Sequence, residues 1–489
     1  MFTVYAWAQE RPPYACLHLW PMRGRVALRA HANIRLTLAL FLARRMRTAA
    51  ANLIPKPRQH TRTTRHPANT PGRTPLSWAV EFQDHPMPTP AIAAGSAEFK
   101  RVNRAMAFGG FSTFALLYSV QPLMPLLARD FALTPAQSSL ALSISTGALA
   151  VALLISSILS DRFGRKPLMA ASMFSGGLLT LLAAFTSDYA QLVALRALMG
   201  FMLGGMPAVA MAYLSEEIEG SSLGLAMGMY ISGSAFGGMF GRVLASVISD
   251  FFSWRLALGL MGAAGLYAAW EFWRSLPVSK RFRPGQGGLG GLLDGARRHL
   301  RDPGLPFLFA LAFLLMGSFV SLYNYIGYRL LGPEFGLRQS AVGALSVLYL
   351  LGIFSSVWAG RLADRLGRRN VLWLVMSLML GGLLLTLSGN LMAVVAGVGL
   401  YTFGFFASHS VASSWVGRRA RPPQALASAL YLFFYYLGSS VVGWFSGYMW
   451  EHGGWLGVVS VLGAILVLAM LIALRLRGLA PLESTPASS

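Results

Sequence analysis

The sequence predicts an all-α integral membrane protein with twelve transmembrane helices in two pseudo-symmetric six-helix halves. Hydrophobic residues make up 55% of the 489 residues and charged residues only 12%, whereas soluble domains carry about 25% charged residues. Twelve apolar stretches of helical length follow residue 105. A charged loop, Asp-Arg-x-Gly-Arg, occurs at 161–165 and returns at 364–368, as expected of a duplicated membrane bundle.

Composition also excludes several kinds of site. The single cysteine, Cys16, cannot form a disulfide or a thiolate metal cluster within the chain. The net charge of +23 resembles that of a nucleic-acid-binding protein, but much of it lies in short loops between apolar stretches, which is a membrane-topology signal. We therefore expect a lipid bilayer and a small-molecule substrate as partners, with no nucleic acid, metal, cofactor or catalytic residue.

Residues 1–100 differ in composition from the rest of the chain. They are rich in Arg, Thr and Pro, and their apolar stretch from Leu36 to Leu42 is far shorter than a spanning helix of ~20 residues. Arg-rich, acid-poor segments are also typical of transit peptides. We expect a basic, disordered extension or a segment that precedes a true start at Met87.

Twelve stretches after Ala105 each approach the ~20 residues that a helix needs to cross ~30 Å of hydrocarbon. Lipid offers no hydrogen-bond partner to an open backbone, so each stretch is predicted to be helical. The predicted spans 1 to 12 cover approximately 105–128, 137–160, 168–187, 190–213, 222–248, 254–275, 305–330, 340–360, 371–389, 391–415, 424–449 and 455–474.

Basic residues predict the orientation of these spans. Lys and Arg cluster before span 1, after spans 2, 6, 8 and 10, and after span 12. By the positive-inside rule, these loops and both termini are cytoplasmic, in the inner or plasma membrane. The Gly/Arg-rich linker 276–304 divides an N-terminal half, 101–275, from a C-terminal half, 305–477, and 478–489 forms a tail. We expect a monomer.

Three motifs resemble those of the major facilitator superfamily. The loop 360–369 fits the family motif G-x-L-x-D-R-x-G-R-[RK] at every fixed position, and the first copy departs only at its opening residue, Ser157. Span 4 carries an R-x-x-x-G element at 196–200. Span 5 carries Gly-Ser-Ala-Phe-Gly-Gly at 233–238, which is similar to the antiporter signature G-P-x-x-G-G with Ser234 in place of the proline.

The resemblance covers about residues 100–477 and looks most like bacterial efflux-type members described as sugar or drug exporters. It implies two six-helix halves that rock around a central cavity lined by spans 1, 4, 7 and 10. It does not imply a particular substrate.

The repeated loop is the candidate gate. Gly164 permits the tight reversal between two helices, and a carboxylate such as Asp161 is stabilised at a helix N-terminus, which the resemblance suggests is that of span 11. An arginine of the loop can pair with Glu216 or Glu217 after span 4. Such contacts would close the cytoplasmic side; the alternative is that the charges serve only as topology anchors. The predicted gating residues are Asp161, Arg162, Gly164, Arg165 and Glu216, which we expect to form the gate, with Asp364, Arg365, Gly367 and Arg368 as its repeat.

Span 5 places Gly233, Gly237 and Gly241 four residues apart on one helix face. In lipid, small residues at this spacing allow two helix backbones to approach closely. They are predicted to pack span 5 against a neighbouring helix, and a hinge that seals the cavity is a compatible alternative.

Polar groups inside the spans are the candidate substrate or coupling residues, because their burial in hydrocarbon is costly. Aromatic surface with a few hydrogen-bonding groups suits an amphipathic solute, although tyrosines near span ends also form the interfacial belt. The predicted residues are Arg196, Arg242, Tyr118, Gln121, Tyr323, Asn324, His409 and Tyr431, with Tyr325 and Tyr435 as further aromatic candidates. Arg329, at the end of span 7, is expected to snorkel.

The sequence predicts a secondary active transporter that moves a small organic solute by alternating access. It contains no G-x-x-x-x-G-K-[ST] phosphate loop, so we expect a proton gradient as the energy source, and the glycine pattern of span 5 favours efflux. The open candidates for proton coupling are Glu271, His409 and the Asp161–Glu216 gate. The alternatives are a uniporter or symporter on the same fold and, more remotely, a transport-dead sensor or a membrane enzyme.

Overall fold

The structure, a computed structural model, describes residues 91–282 and 288–478. These residues are almost entirely helical, and the strand-like feature among them is an isolated bridge between Ile92 and Ile218. The predicted all-α fold is confirmed. The basic extension up to residue 90 and the tail from residue 479 lie outside the described residues.

The N-terminal half contains spans 1 to 6. Span 1 is interrupted by a 3-10 turn at Gln121–Leu123, where Pro122 and Pro125 lack the N–H groups that a continuous helix requires. Span 4 consists of two helices that meet at Gly204. The helices are Ala97–Tyr118 and Met124–Asp130 (span 1), Pro135–Phe163 (span 2), Arg165–Ala183 (span 3), Tyr189–Leu203 and Gly205–Glu217 (span 4), Gly220–Phe251 (span 5) and Trp254–Ser275 (span 6).

The C-terminal half follows a short linker helix, Gly288–Leu300. Its last helical segment breaks at Gly454, where a φ of 55° ends span 11 and begins span 12. The helices are Leu305–Leu331 (span 7), Gln339–Ala344 and Tyr349–Leu366 with a 3-10 turn at Leu345–Leu348 (span 8), Arg368–Leu385 (span 9), Leu391–Arg419 (span 10) and Gln424–Arg477 (spans 11 and 12).

Ten helical segments of the described residues are long and apolar enough to cross a membrane. One of these, Gln424–Arg477, contains two predicted spans on either side of Gly454. The helix predicted as span 6, Trp254–Ser275, is present but is not among the ten segments. The number of apolar helices is therefore between ten and twelve, depending on how these two segments are counted.

Side-chain caps fix where several spans begin. The Thr134 side chain accepts a hydrogen bond from the Gln137 N–H, and the Gln137 side chain accepts one from the Thr134 N–H, which forms a capping box. Asp188, Ser253 and Asn390 cap spans 4, 6 and 10 through their own side chains. Each cap satisfies N–H groups that the start of a helix leaves unpaired.

Glycines bring span 5 against span 1. A methyl group built on any of three span 5 glycines would collide with a backbone carbonyl oxygen of span 1, so the two backbones are in direct contact over about two turns. The pairs are Gly233 with Ala107, Gly237 with Phe111, and Gly241 with Ala115.

The C-terminal half repeats this packing. A methyl group built on Gly438 of span 11 would collide with the carbonyl oxygen of Phe313 in span 7. Spans 7 and 11 follow spans 1 and 5 in the duplicated order, so equivalent helices make equivalent contacts. The two halves are related in structure as well as in sequence.

We call the side that carries loops 161–167 and 364–370 the basic side, and the opposite side the far side. Polar contacts between the halves lie towards the far side, whereas the ion pairs of the basic side stay within one half and its part of the linker. The halves are therefore joined at the far side in this conformation. The cross-half hydrogen bonds near the far side join Ala136 to Glu451 (3.2 Å), Ser138 to Tyr328 (2.5 Å), Ser340 to Asp250 (2.5 Å) and Gln339 to Pro122.

Candidate functional site

Both copies of the charged loop have the same geometry. The glycine between the two helices has a φ of 88° in the first copy and 81° in the second, a region that favours glycine. In the first copy, Asp161 Oδ1 lies 2.9 Å from Arg165 Nη1, and in the second, Asp364 Oδ1 lies 3.0 Å from Arg368 Nη2. Each copy therefore ties the end of one helix to the start of the next.

The two copies differ in their further partners. Arg165 Nη2 also lies 2.6 Å from Glu216 Oε1 at the end of span 4. In the second copy, Arg418 Nη2 is 3.6 Å from the Asp364 carboxylate. The side chain of Asp161 is 30% exposed and that of Asp364 is 61% exposed, so the first copy is the more enclosed cluster.

Other predicted gating contacts are not present in this conformation. Arg162 and Arg365 lie exposed and form no ion pair among residues 91–282 and 288–478. The partner of Asp161 is Arg165 in its own half rather than the start of span 11. Contact with span 11 stays a prediction for a state in which the basic side is closed.

Carboxylates also fasten both ends of the linker. Glu217 Oε1 accepts hydrogen bonds from the N–H groups of Lys280 and Arg281, each at 2.8 Å. At the other end, Asp302 Oδ1 lies 2.5 Å from Arg419 Nε. Burial alone would raise the pKa of Asp302, but hydrogen bonds from Arg419 and from two backbone N–H groups lower it below its usual value. Each half therefore holds its own end of the linker.

Arg196 is enclosed by backbone carbonyl groups. It is 1% exposed, and its nitrogens donate to the carbonyl oxygens of Ala141 (2.9 Å), Leu116 (3.2 Å) and Leu117 (2.6 Å). Leu116 and Leu117 belong to the last turn of the first helix of span 1, where carbonyls lose their intrahelical partners. Arg196 thus caps the break in span 1 and joins spans 1, 2 and 4.

Arg242 lies between the two halves. It is 3% exposed, and it donates to the carbonyl oxygen of Gly238 (2.6 Å) and to Gln121 Oε1 (2.5 Å). Its guanidinium carbon is 4.1 Å from the ring centroid of Tyr118 and 4.8 Å from that of Tyr349. One ring comes from each half, so Arg242 is held by cation–π contacts on both sides of the interface.

Gln121 continues this network into the other half. Its Nε2 donates to Asn324 Oδ1 at 2.7 Å and to the Val320 carbonyl oxygen at 3.3 Å. The Asn324 Nδ2 group is buried and has no hydrogen-bond partner among the described residues. A chain of polar groups therefore runs from Arg242 across the interface and ends on an unpaired donor.

A small cavity adjoins this network. Its volume is about 20 Å³, which is room for about one water molecule. Arg242, Gln121, Tyr323, Asn324 and Ser346 contribute to its lining. The structure thus brings together five of the predicted substrate or coupling residues, because Tyr118 contacts the same guanidinium.

A continuous series of aromatic rings runs through the C-terminal half from Arg242 towards the basic side. We call this series the aromatic wall. Neighbouring ring centroids within it lie 4.8 to 6.4 Å apart, and the Tyr431 hydroxyl lies 3.0 Å from His409 Nδ1. The wall consists of Tyr349, Phe406, Phe405, His409, Tyr435 and Tyr431.

Two other predicted residues lie outside the central site. The Tyr325 hydroxyl donates to the carbonyl oxygen of Gly443 at 2.8 Å, within the C-terminal half. Glu271 Oε1 lies 3.3 Å from Arg104 Nη2, in a groove that spans 1, 5 and 6 form on one side of the N-terminal half. Neither residue is in contact with Arg242.

Arg329 does not snorkel as expected. Its side chain is 8% exposed, and its Nη2 lies 2.5 Å from Glu334 Oε1 and donates to the Ser388 carbonyl oxygen at 3.0 Å. The hydrogen bond from Arg329 lowers the pKa of Glu334. The expectation was wrong because Glu334, in the loop after span 7, and the backbone carbonyls of Thr386 and Ser388, after span 9, satisfy this charge inside the protein.

Tyr349 and the far-side contacts were not predicted. Tyr349 belongs to span 8, which the family pattern does not place among the cavity-lining spans, and no local signal in the sequence distinguishes it from other aromatic residues. Asp250 and Ser340 lie in different halves, so no spacing along the chain relates them. Among the described residues, no three His, Cys, Asp or Glu side chains are grouped closely enough to hold a metal ion.

The repeated charged loop, the two-half bundle and the packed glycines agree with the comparison to known families. The sequence model of the Major Facilitator Superfamily matches residues 106–421 and 326–489. The chain belongs to the Major Facilitator Superfamily. The resemblance of its motifs is thereby confirmed, and the chain is a multi-pass membrane transporter.

Similar members of the superfamily occur in distant bacteria. The chain is 47% identical to the inner membrane transport protein YnfM of Escherichia coli strain K12, over 81% of this chain and 95% of that protein. It is 45% identical to the uncharacterized MFS-type transporter YybF of Bacillus subtilis strain 168, over 78% of this chain and 94% of that protein.

Solved structures of superfamily members share the fold. A bacterial homologue of the human lysosomal transporter Spinster, in an inward-facing and unoccupied conformation, superposes with a TM-score of 0.68 at 14% identity, over 78% of this chain and 98% of that one. A point mutant of the nucleoside transporter NupG superposes with a TM-score of 0.65 at 16% identity, over 77% of this chain and 99% of that one. At these identities the likeness concerns the fold alone.

Proposed function

We propose that this superfamily transporter moves a small organic solute by alternating access, and that it exports the solute in exchange for protons. The observation that carries the proposal is the asymmetry between the two sides. Cross-half hydrogen bonds such as Ser340 to Asp250 join the far side, while the charged clusters around Arg165 and Arg368 stay within their own halves. Such an arrangement is one end state of a two-state rocking motion.

The basic side is the cytoplasmic one in this proposal. Its loops carry most of the Lys and Arg residues between the spans, which favours a cytoplasmic location. The far side then faces outwards, and the conformation described here is open to the cytoplasm. The Escherichia coli relative YnfM is an inner membrane transport protein, which favours the same location for this chain.

His409 is the proposed proton-coupling residue. It belongs to the aromatic wall, is partly exposed, and shares a hydrogen bond with Tyr431, so protonation would change a contact between spans 10 and 11. Glu271 is paired with Arg104 outside the central site, which makes it the weaker candidate. Efflux is favoured by the glycine pattern of span 5, which resembles the antiporter signature.

Counterflow into proteoliposomes tests the proposal. The full chain is reconstituted and loaded with sugars, amino acids, aromatic acids or drugs, and uptake of the labelled solute is followed under imposed pH gradients. Proton antiport predicts accumulation of at least one solute into an acidic lumen, with a several-fold loss in His409→Gln. Accumulation into an alkaline lumen would identify a symporter instead, and indifference to the gradient would identify a uniporter. The absence of counterflow for every solute would contradict transport.

A further inference from the structure

Arg242 has no carboxylate partner among the residues that the structure describes. Arg196, the other deeply buried arginine, directs its nitrogens to three backbone carbonyls inside one half. Arg242 reaches one carbonyl of its own helix and one neutral amide. None of the salt bridges among residues 91–282 and 288–478 includes it. A buried cation without an anion is costly, and inside a membrane it indicates a functional site.

The surroundings of Arg242 stabilise a cation without cancelling its charge. The rings of Tyr118 and Tyr349 present their negative faces to the guanidinium, and they carry no net charge. The carboxylates of the described residues lie towards span ends, and none contacts Arg242. A single positive charge therefore remains at the interface of the two halves.

Unpaired hydrogen-bond donors accompany this charge. The Tyr349 hydroxyl is buried and has no partner among the described residues, and the same holds for Asn324 Nδ2. Asn324 Nδ2 is left unpaired because of how Gln121 is oriented. Gln121 Oε1 accepts from Arg242, so Gln121 Nε2 faces Asn324 and donates to its Oδ1. A cation flanked by donors matches a carboxylate or a phosphate, whose oxygens are acceptors.

The aromatic wall begins at the same place. Tyr349 contacts Arg242 at one end of the wall, and rings continue from it through Phe406 and Phe405 to His409. Tyr349, Phe405 and Tyr431 are buried, whereas Phe406, His409 and Tyr435 are partly exposed. Partly exposed rings can cover an apolar or aromatic body well. The cavity beside Arg242 holds only about 20 Å³, so it can take part of an anionic group, and the body of a solute must lie along the wall.

We propose that Arg242 binds the anionic group of the transported solute, and that the substrates are organic anions with an aromatic or other apolar body. This inference rests on the proposed transport function and adds the substrate class. Arg242 supplies the charge, the Tyr349 hydroxyl supplies a further donor, and the wall receives the apolar part. Because Tyr118 and Tyr349 belong to different halves, binding at Arg242 also contacts both moving units of the transporter.

Matched ligands that differ only in charge test the proposal. The purified full chain in neutral detergent is titrated with benzoate, phenylacetate and indole-3-acetate, with the amide and the amine of the same skeleton, and with phenyl phosphate, while thermal unfolding and Kd are measured. The carboxylates should raise the Tm and bind at least tenfold more tightly than their amides and amines. Phenyl phosphate distinguishes a general anion site from one that is restricted to carboxylates.

Variants locate the binding to this site. Arg242→Gln should weaken carboxylate binding at least tenfold, and Arg242→Lys should lose less because it keeps the charge. Arg255→Gln, which removes a half-exposed arginine on the far side, should leave Kd unchanged. If Arg242→Gln does not fold, Tyr349→Phe removes only the hydroxyl and should still weaken binding about three- to tenfold. Equal binding of amides or amines, full affinity in Arg242→Gln or Tyr349→Phe, or no binding by any carboxylate would overturn the proposal.

Transport assays separate this proposal from the proposed function. If carboxylates bind through Arg242 but are not moved in proteoliposomes, anion binding at Arg242 is supported and the transport of these solutes is contradicted. If neutral solutes are moved and Arg242→Gln moves them equally well, the proposed transport function is supported and the proposed anion site is contradicted.

Discussion

Gln121 and Asn324 donate and accept a hydrogen bond across the interface of the two halves, and they lie 203 positions apart in the chain. The aspartates of the two charged loops have the same separation. Spans 1 and 7, which hold the same place in the two halves, therefore meet at the boundary between them. This contact, like the far-side bonds, must break if the far side is to open.

Loss of the Asn324 side chain should favour opening of the far side. Asn324→Ala removes the partner of Gln121, and one hydrogen bond contributes about 1 kcal/mol, which corresponds to roughly a fivefold change in population. A cysteine at Ser346, in a Cys16→Ser background, should react several-fold faster with an impermeant maleimide that is added to the far side of sealed vesicles. Ser356→Ala, whose hydrogen bonds to the carbonyl oxygens of Gly352 and Phe406 stay within the C-terminal half, is the control. An unchanged labelling rate in Asn324→Ala would show that this hydrogen bond does not help to hold the far side closed.

The packing of span 5 should be sensitive to a single methyl group. Gly237→Ala places a Cβ against the carbonyl oxygen of Phe111, and overpacking costs about 1–3 kcal/mol. We expect a lower Tm in detergent, and the same for Gly438→Ala in the other half. Gly228→Ala lies on the same helix with open space around it and should be neutral. Equal Tm values for the Gly237 and Gly228 variants would show that the close approach has no energetic importance.

Arg196 should matter for stability more than for solute binding. Arg196→Gln leaves buried carbonyls of spans 1 and 2 without donors, at about 1–3 kcal/mol for each unsatisfied group. The Tm should fall, while Kd in the protein that remains folded should be near that of the wild type. A normal Tm combined with lost transport would instead favour a direct role in coupling.

The first charged loop should influence the conformational balance more than the second. Asp161 and Glu216 share Arg165 in a partly buried cluster, whereas Asp364 is largely exposed, and exposed ion pairs contribute little. Asp161→Asn should therefore change the accessibility of cysteines on the basic side more than Asp364→Asn does. Equal effects of the two substitutions would indicate that burial of the first copy has no role in gating.

Much of the fold followed from the sequence because membrane spans obey simple rules. Apolar length located the helices, and the repeat at 161–165 and 364–368 indicated two related halves. The same rules did not resolve the break in span 1, although Pro122 and Pro125 are visible in the sequence. They also did not indicate that Arg196 would close that break, because a carbonyl acceptor on another helix leaves no trace in sequence spacing.

The site was harder to predict than the fold. Residue type identified Arg242, Gln121 and Asn324 as candidates, since polar groups in lipid need partners. Packing between distant helices decides that Arg196 is enclosed by backbone carbonyls while Arg242 has no carboxylate partner among the described residues. Tyr349 joins the site only because span 8 crosses close to span 5, and that crossing is a property of the folded pair of halves.

The central claim is that the two halves rock so that the far side and the basic side open alternately. Double electron–electron resonance distances between pairs of spin labels test it directly, in a Cys16→Ser background in lipid. One pair, at Arg129 and His452, reports on the far side, and the other, at Arg162 and Arg421, reports on the basic side. We predict two populations for each pair, with one pair short when the other is long, and opposite shifts of the two pairs when pH or solute is changed. A single distance at both pairs under all conditions, or parallel shifts of the two, would contradict alternating access.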